Sequence, residues 1–461
     1  MPKNIVIFSD GTGQRGGLLV DERRSNIYKL YRATRSGPDT SIAPWKQTAF
    51  YDPGLGTLPA GTEFFSGLWR GIYNLASQAT GLGLTGNIID CYAALVRLWE
   101  PGDRIFLFGF SRGAYTVRSL GGVLSLCGLP TRMKDGKPLK RDEASAKRIA
   151  REAVTKVYQH TSSRTTAQAN TRQAELLAQR TALANRFREQ YGSDQNGLSN
   201  AFPYFIGVFD TVASLANPVA VAGFTVAAVV GLLAASWVLS LFTLTFPIWL
   251  MTLGGLAALI FLIGYLRTHI KVAFGLPGHR WWKTFHFTEP RMKFYDKSLN
   301  VHVGFARHAI AIDERRQSFQ RVAWGSPGIW RDTGDGNPEW FKQLWFAGNH
   351  SDIGGSYPEE ESRLSDISLK WMVDEARAVG LQVDWNVLRL YPSSSGMQHD
   401  ECKSSIFKYA GKIVRDPPHD APLHPTVLER FELDAVIDYD EGKPYRPESL
   451  RNHGLVTVYY T

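Results

Sequence analysis

Residues 104–122 read Arg-Ile-Phe-Leu-Phe-Gly-Phe-Ser-Arg-Gly-Ala-Tyr-Thr-Val-Arg-Ser-Leu-Gly-Gly, and few architectures accommodate that order. Residues 105–108 are apolar without alternation, the pattern of a strand buried on both faces. Gly109-Phe110-Ser111-Arg112-Gly113 follows at once as G-x-S-x-G, and residues 114–120 then have helical character. Strand, tight turn and helix in immediate succession put Ser111 where a nucleophile elbow would hold it. A serine hydroxyl is a poor nucleophile unless it is exposed on a sharp turn, beside a base and beside open backbone N–H groups. Gly109 and Gly113 allow strand and helix to approach closely around that turn, which makes the N–H of Arg112 a candidate oxyanion donor. The plain alternative is a glycine-rich turn whose serine only caps the helix.

The first 120 residues alternate strand and helix. Residues 4–8 form a short strand ending at Ser9-Asp10-Gly11-Thr12-Gly13, and residues 25–33 are helical. Residues 48–51 form a second strand that runs into Asp52-Pro53-Gly54-Leu55-Gly56-Thr57. Residues 87–99 form an amphipathic helix with Ile88, Cys91, Leu95 and Leu98 on one face. The pattern predicts an α/β fold, α/β-hydrolase-like, with a mostly parallel sheet flanked by helices.

Such sheets gather their reactive groups at the carboxyl ends of the strands. Backbone N–H groups around Gly11 are therefore candidates to complete an oxyanion hole. Asp10 would orient that loop or bind a cation, against the simpler reading of an Asx-capped turn. Residues 204–209 form a further strand ending at Asp210, the place of the orienting acid in a Ser…Asp…His chain order. An N-cap is the alternative for Asp210. Residues 343–347 form the last clear strand, followed by Gly348-Asn349-His350-Ser351-Asp352 and a helix over 365–378 that starts at an Asp366 cap. His350 stands where an α/β hydrolase places its base, and His308, in a segment expected to be helical, is its rival. Asp10 and Asp352 leave room for a cation, although the chemistry requires no metal and no cofactor.

The net charge of +9 is unevenly spread, because residues 134–191 hold 13 Lys or Arg against 6 Asp or Glu. That stretch, with little strong apolar periodicity, is expected as a basic helical insertion on the surface. It lacks the interleaved aromatics of a nucleic-acid site, so no nucleic-acid partner is expected. The three cysteines, Cys91, Cys127 and Cys402, are far apart and without C-x-x-C spacing, which excludes a disulfide framework. The chain enters a strand directly after Met-Pro-Lys, and no cleavable signal peptide is expected.

Residues 216–266 contain no Asp, Glu, Lys or Arg. That is more than twice the roughly 20 residues that cross a bilayer, with a turn near 243–247, so a hydrophobic helical hairpin that inserts into membrane is expected. Trp237, Trp249 and Tyr265 would lie near interfaces, and Arg267, Lys271, Arg280 and Lys283 follow with Trp281 and Trp282 among them. Positive flanks would hold both ends, and the rest of the chain, on the cytoplasmic face. A buried core hairpin is the alternative.

Six segments in order carry a resemblance: Phe8-Ser9-Asp10-Gly11-Thr12-Gly13, Tyr51-Asp52-Pro53-Gly54-Leu55-Gly56-Thr57, Gly109-Phe110-Ser111-Arg112-Gly113-Ala114, Val208-Phe209-Asp210-Thr211-Val212, His308-Ala309-Ile310-Ala311-Ile312-Asp313-Glu314-Arg315 and Gly348-Asn349-His350-Ser351-Asp352-Ile353-Gly354-Gly355. Together they resemble the catalytic domain of type VI secretion phospholipase effectors of the first lipase-effector family, shared by a related α/β-hydrolase domain of bacteria and fungi. The resemblance implies one catalytic domain over 1–461 with insertions at 134–191 and 216–266. It implies a phospholipase A-type serine esterase acting on membrane phospholipid, with Ser111 as nucleophile and Asp210 as acid. It also implies delivery by a type VI system, with a secretion chaperone or an immunity protein as partner, or action on the cell's own lipids. Two features depart from the family: Ser9 stands where Phe usually runs directly into Asp-Gly-Thr, and the hydrophobic hairpin is not general. A membrane-anchored scaffold that has lost activity is the alternative function.

Overall fold

The computed structural model describes residues 2–11, 23–54, 82–162, 171–212, 218–278, 280–288, 298–324, 331–334, 336–403 and 411–460. Six strands form the central sheet: β1 (Asn4–Ser9), β2 (Gln47–Asp52), β3 (Arg104–Phe110), β4 (Pro203–Phe209), β5 (Phe305–Ala311) and β6 (Phe341–Phe346). Their order is β6-β5-β4-β3-β1-β2, and every neighbouring pair is parallel. The chain builds outward from β1 in one direction to β2 and in the other through β3. The strand order therefore reverses between β1 and β3, where an open parallel sheet leaves a crevice at its carboxyl edge.

Continuous apolar runs make these strands because both faces are covered. Ile5, Ile7, Ile105, Leu107, Ile206 and Val208 pack on one side against the helices Leu82–Leu98 and Arg112–Cys127. Val6, Phe8, Phe106, Phe108, Phe205 and Phe209 pack on the other against Asn26–Thr34 and Arg363–Ala378. Phe8 and Phe108 stack at 5.3 Å, and Phe108 meets Phe205 at 5.4 Å. Each such ring contributes about 1.5–3 kcal/mol through burial.

Three expectations change. Residues 305–311, read as part of a helix, are strand β5, fully paired between β4 and β6. Arg307 and His308 interrupt its apolar run, yet both are buried, and the Arg307 guanidinium sits 2.6 Å from Glu375. The helix ending at Ala378 begins at Arg363 with Ser362, not Asp366, in the cap position. The basic stretch 134–191, expected at the surface, sends Ile149, Val154, Tyr158, Leu183 and Phe187 into the same core as β1 and β3. Much of its inward face is alanine, namely Ala146, Ala150 and Ala153, which is why its periodicity was faint.

The charge-free segment forms two helices, Pro218–Ser240 and Phe246–His269, that lie against each other. Residues 246–267 are long and apolar enough to cross a membrane, and none of that window is buried; the apolar part of the first helix, 225–240, is shorter. Among the described residues, none of this pair joins the three core clusters. The last described segment, 411–460, builds its own cluster of Val427, Phe431, Tyr445 and Leu450 against Ile310 and Trp345 of β5 and β6.

Candidate active site

The carboxyl ends of β1, β3, β4 and β6 bring the expected residues to one edge. Ser111 follows β3 directly, with φ 58° and ψ −119°, a left-handed backbone that a non-glycine residue adopts only when its surroundings enforce it. Its N–H donates to the carbonyl of Phe209 at 3.1 Å, tying the turn to β4. Its side chain makes no capping bond to the helix Arg112–Cys127, so the capping role set against a nucleophile is absent. A Cβ on Gly113 would run into the backbone of Ser9, and one on Gly109 into the backbone of Gly113. Gly113→Ala is accordingly expected to destabilise the protein by about 1–3 kcal/mol or more through overpacking. Denaturant midpoints would register the loss, and an unchanged midpoint would show that the elbow relaxes.

Asp210 ends β4, also at positive φ (36°), and is fully buried. Arg415 donates to both of its oxygens, Nη1 to Oδ1 at 2.5 Å and Nη2 to Oδ2 at 2.9 Å. The N–H of Ala311 adds a bond to Oδ1 at 3.1 Å. Burial alone would push this carboxyl up, but Arg415 and His350 outweigh it and hold Asp210 well below the usual carboxylate range.

His350 opens the short helix His350–Gly354, whose start is fixed by a capping box between Asn349 and Asp352. Its Nδ1–H donates to Asp210 Oδ2 at 2.6 Å, and its backbone N–H donates to Glu314 Oε2 at 3.2 Å. Phe110, the residue before Ser111, lies 4.6 Å from the imidazole ring, and Phe319 meets its edge at 5.0 Å. Nε2, the nitrogen opposite the acid, is buried and carries no hydrogen bond among the described residues. Burial lowers the pKa of His350 despite the Asp210 bond, which keeps the ring neutral and its Nε2 able to accept a proton.

His308 is elsewhere. Its side chain leaves β5 on the opposite face, with Nδ1 3.1 Å from Gln343 Oε1 and the ring edge-on to Trp324. Burial, then the Arg118 charge, push its pKa down to about 3.

Asp10 is committed to its own loop. Its carboxylate accepts from the N–H of Gly11 at 2.7 Å, from the Tyr51 hydroxyl at 2.7 Å and from the Ser25 hydroxyl. The orienting role fits this arrangement better than the cation. The same bond engages the N–H of Gly11; Thr12 and Gly13 lie outside the described residues, as do residues 55–57 of the second glycine loop. Gly11 nevertheless lines the elbow, since a Cβ there would sit 3.5 Å from that of Ser111. Ser9 donates to Asp52 Oδ2 at 2.8 Å, which gives the departure from the family pattern a local partner. Arg112 is the first helical residue, and burial lowers its guanidinium to about 10.

Asp352 is also engaged, with Oδ1 2.7 Å from His399 Nδ1 and Oδ2 accepting from the N–H of Asn349 at 3.0 Å. Among the described residues no group of His, Cys, Asp or Glu is arranged to hold a metal ion. A cavity of about 400 Å³ shares Glu314 and Arg415 with the His350 cluster, and its other walls mix Asp313, Asp400 and Lys443 with Ile312, Val414 and Tyr445.

Arg415 escaped the sequence reading. It lies in an irregular tract, 205 residues from the acid it holds, and no spacing or motif marks it.

Fold and site define a doubly wound parallel α/β protein, with a serine elbow and a buried Asp–His pair at the carboxyl edge of one sheet. Residues 3–237 and 270–375 match the family described as T6SS, Phospholipase effector Tle1-like, catalytic domain, and the chain belongs to that family. The match breaks off across 238–269, which contains the longer apolar helix. An uncharacterized protein of Saccharomyces cerevisiae, YEL023C, is 35% identical over 132 residues, 28% of this chain and 18% of that protein. Among solved structures, an uncharacterized protein from Pseudomonas aeruginosa aligns with 85% of this chain and 48% of its own at 16% identity and a TM-score of 0.35. The Tle1 effector bound to the VgrG spike of the type VI secretion system aligns with 85% and 77% at 13% identity and the same TM-score. The chain thus spans less than half the length of the yeast and Pseudomonas proteins that it matches.

Proposed function

We propose that this chain is a serine esterase that cleaves acyl chains from membrane glycerophospholipids, a phospholipase A. The observation that carries the reading is the 2.6 Å pairing of buried Asp210 with His350, on the sheet edge where Ser111 occupies a strained elbow. His350 Nε2 would take the Ser111 proton as the hydroxyl oxygen attacks the ester carbonyl. Asp210 holds Nδ1–H and stabilises the imidazolium that forms, and Arg415 holds Asp210. The N–H of Arg112 faces the oxyanion of the tetrahedral intermediate. The imidazolium then protonates the departing lysophospholipid oxygen, and water, deprotonated by His350, releases the fatty acid from Ser111. No metal or cofactor enters any step.

Family membership favours delivery by a type VI system, where a chaperone or an immunity protein would be the partner. The apolar helix 246–267 favours a bilayer-associated enzyme, with the catalytic domain on the cytoplasmic face when resident in its own membrane.

The test follows fatty-acid release from phosphatidylethanolamine–phosphatidylglycerol vesicles by the wild type and by Ser111→Ala, with labelling by a serine-directed phosphonate in parallel. Release and labelling by the wild type alone are the expected result. A folded wild type that neither labels nor releases fatty acid would overturn the esterase and leave the membrane-anchored scaffold.

A further inference from the structure

Immediately after the apolar helix ending at His269, the chain turns back on itself. Ile270–Lys271 pairs antiparallel with His286–Phe287, and the hydroxyl of Thr284 bonds both the N–H and the carbonyl of Ala273 at 2.9 Å. This small closed unit buries Ala273, Leu276 and Thr284 and turns its large rings outward. Phe274 is 63% exposed, Trp281 and Trp282 52% each, and Phe287 59%. The rings are ordered against one another: Phe274 stacks on Trp281 at 5.9 Å, Trp281 meets Trp282 edge-on at 5.8 Å, and Arg280 lies over Trp282 at 5.3 Å. Residues 267–288 carry Arg267, Lys271, Arg280 and Lys283 and no carboxylate.

The unit is also fastened to the catalytic body. Arg172 donates to the carbonyls of Lys283 and Phe285 at 3.1 and 3.2 Å, and Arg186 to that of Phe274 at 2.6 Å. Lys271 donates to the carbonyl of Thr155 at 3.2 Å. Both arginines come from the basic helix Thr171–Tyr191, whose inner face is part of the main core.

Exposed aromatics with an apolar body and a polar edge, interleaved with the exposed cations Arg280 and Lys283, suit the headgroup layer of a membrane. We propose that residues 270–278 and 280–288 form a platform that seats on the headgroup layer of a bilayer containing anionic phospholipid. The proposal deepens the membrane part of the function above and rests on the neighbouring helix entering that bilayer. Its charge matches phosphate-rich headgroups, and it continues directly from the membrane-length helix. The occupant is therefore a lipid surface, and a protein partner is an outcome of the test. Through Arg172 and Arg186 the platform sets the sheet at a fixed attitude to the bilayer.

The test uses full-length Ser111→Ala, so that no probe lipid is consumed. An environment-sensitive fluorophore is attached at Phe287→Cys, and at Leu256→Cys in a second protein; Cys91, Cys127 and Cys402 are buried and stay unlabelled. Vesicles are phosphatidylcholine alone or with about one-third phosphatidylglycerol, whose charge adds on the order of fivefold in affinity per nearby cation. The expected result is a blue shift at position 287 on the anionic vesicles, quenched more by headgroup nitroxides than by mid-chain ones, with the reverse order at 256. Arg280→Ala and Lys283→Ala would each weaken anionic-vesicle binding by about fivefold. A label at 287 that stays water-like while 256 is quenched by mid-chain nitroxide overturns the platform and leaves the helix reading intact. Water-like labels at both positions, or a shift at 287 that follows protein concentration without vesicles, overturn both and point to a protein partner. Hydrolysis by the unmodified serine enzyme tests catalysis separately.

Discussion

His350→Ala is expected to lower fatty-acid release by a factor on the order of 10⁴ or more, while His308→Ala leaves the folded enzyme within a few-fold of wild type. The difference follows from the faces of the sheet. His350 donates Nδ1–H to Asp210 and keeps Nε2 unpaired beside Phe110, one residue from Ser111. His308 instead turns Nδ1 to Gln343 and its ring edge to Trp324, and makes no hydrogen bond to Asp210. Truncating His308 leaves a cavity, so its effect belongs in the melting temperature. Comparable loss of turnover in both variants, with matched folded fractions, would refute the assignment. The pH–rate profile supplies a second check. Burial lowers the pKa of His350 from 6.5, so the acid limb of kcat/KM falls below that value, and activity is retained into mildly acidic buffer.

The second large effect is at Arg415. Arg415→Ala leaves the Asp210 carboxylate buried without its cation, and stability at pH 7 is expected to fall by about 3–5 kcal/mol. Asp210 has a folded pKa below its unfolded one, so its stabilisation is present above the unfolded value of 3.8 and is lost as pH falls through the folded value. Without Arg415, burial becomes the dominant influence and raises the folded pKa above the unfolded one, so the sign reverses and the ionised Asp210 costs stability as pH rises. Arg415→Lys should recover only part of the stability, because an ammonium cannot bond both oxygens as the planar guanidinium fork does. The double variant Asp210→Asn/Arg415→Met removes both charges and should restore most of the melting temperature while turnover stays lost. Thermal unfolding over pH 4–8 measures all three proteins. A wild-type melting curve from Arg415→Ala would mean that the acid needs no buried counter-charge.

Local order was legible in the residues where each element carries its own signal. The run 105–108 with its glycine-flanked serine gave strand, turn and helix at the right place, because two-sided burial leaves an unbroken apolar string. The positions of Asp210 and His350 just past recognisable strands were legible for the same reason. Strand β5 was not, because Arg307 and His308 are buried polar residues whose partners, Glu375 and Gln343, lie 68 and 35 residues away. The inward face of the basic stretch was masked by alanine, which packs well but gives little contrast to a hydrophobic pattern. Arg415 and the closed unit at 270–288 depend on contacts between segments distant in the chain, which no spacing encodes.

The position of Arg415 also bears on when the proposed active site is complete. Ser111, Asp210 and His350, the residues of the proposed triad, all precede residue 351, yet Asp210 is paired with a guanidinium 205 residues beyond it, from a tract docked on β5 and β6. On the proposed function, a chain whose sheet had formed before that tract docked would hold Asp210 without this cation, and its active site would be incomplete. The expected sign of such a dependence is phosphonate labelling that lags the return of helical ellipticity during refolding, and labelling that returns together with ellipticity would refute it.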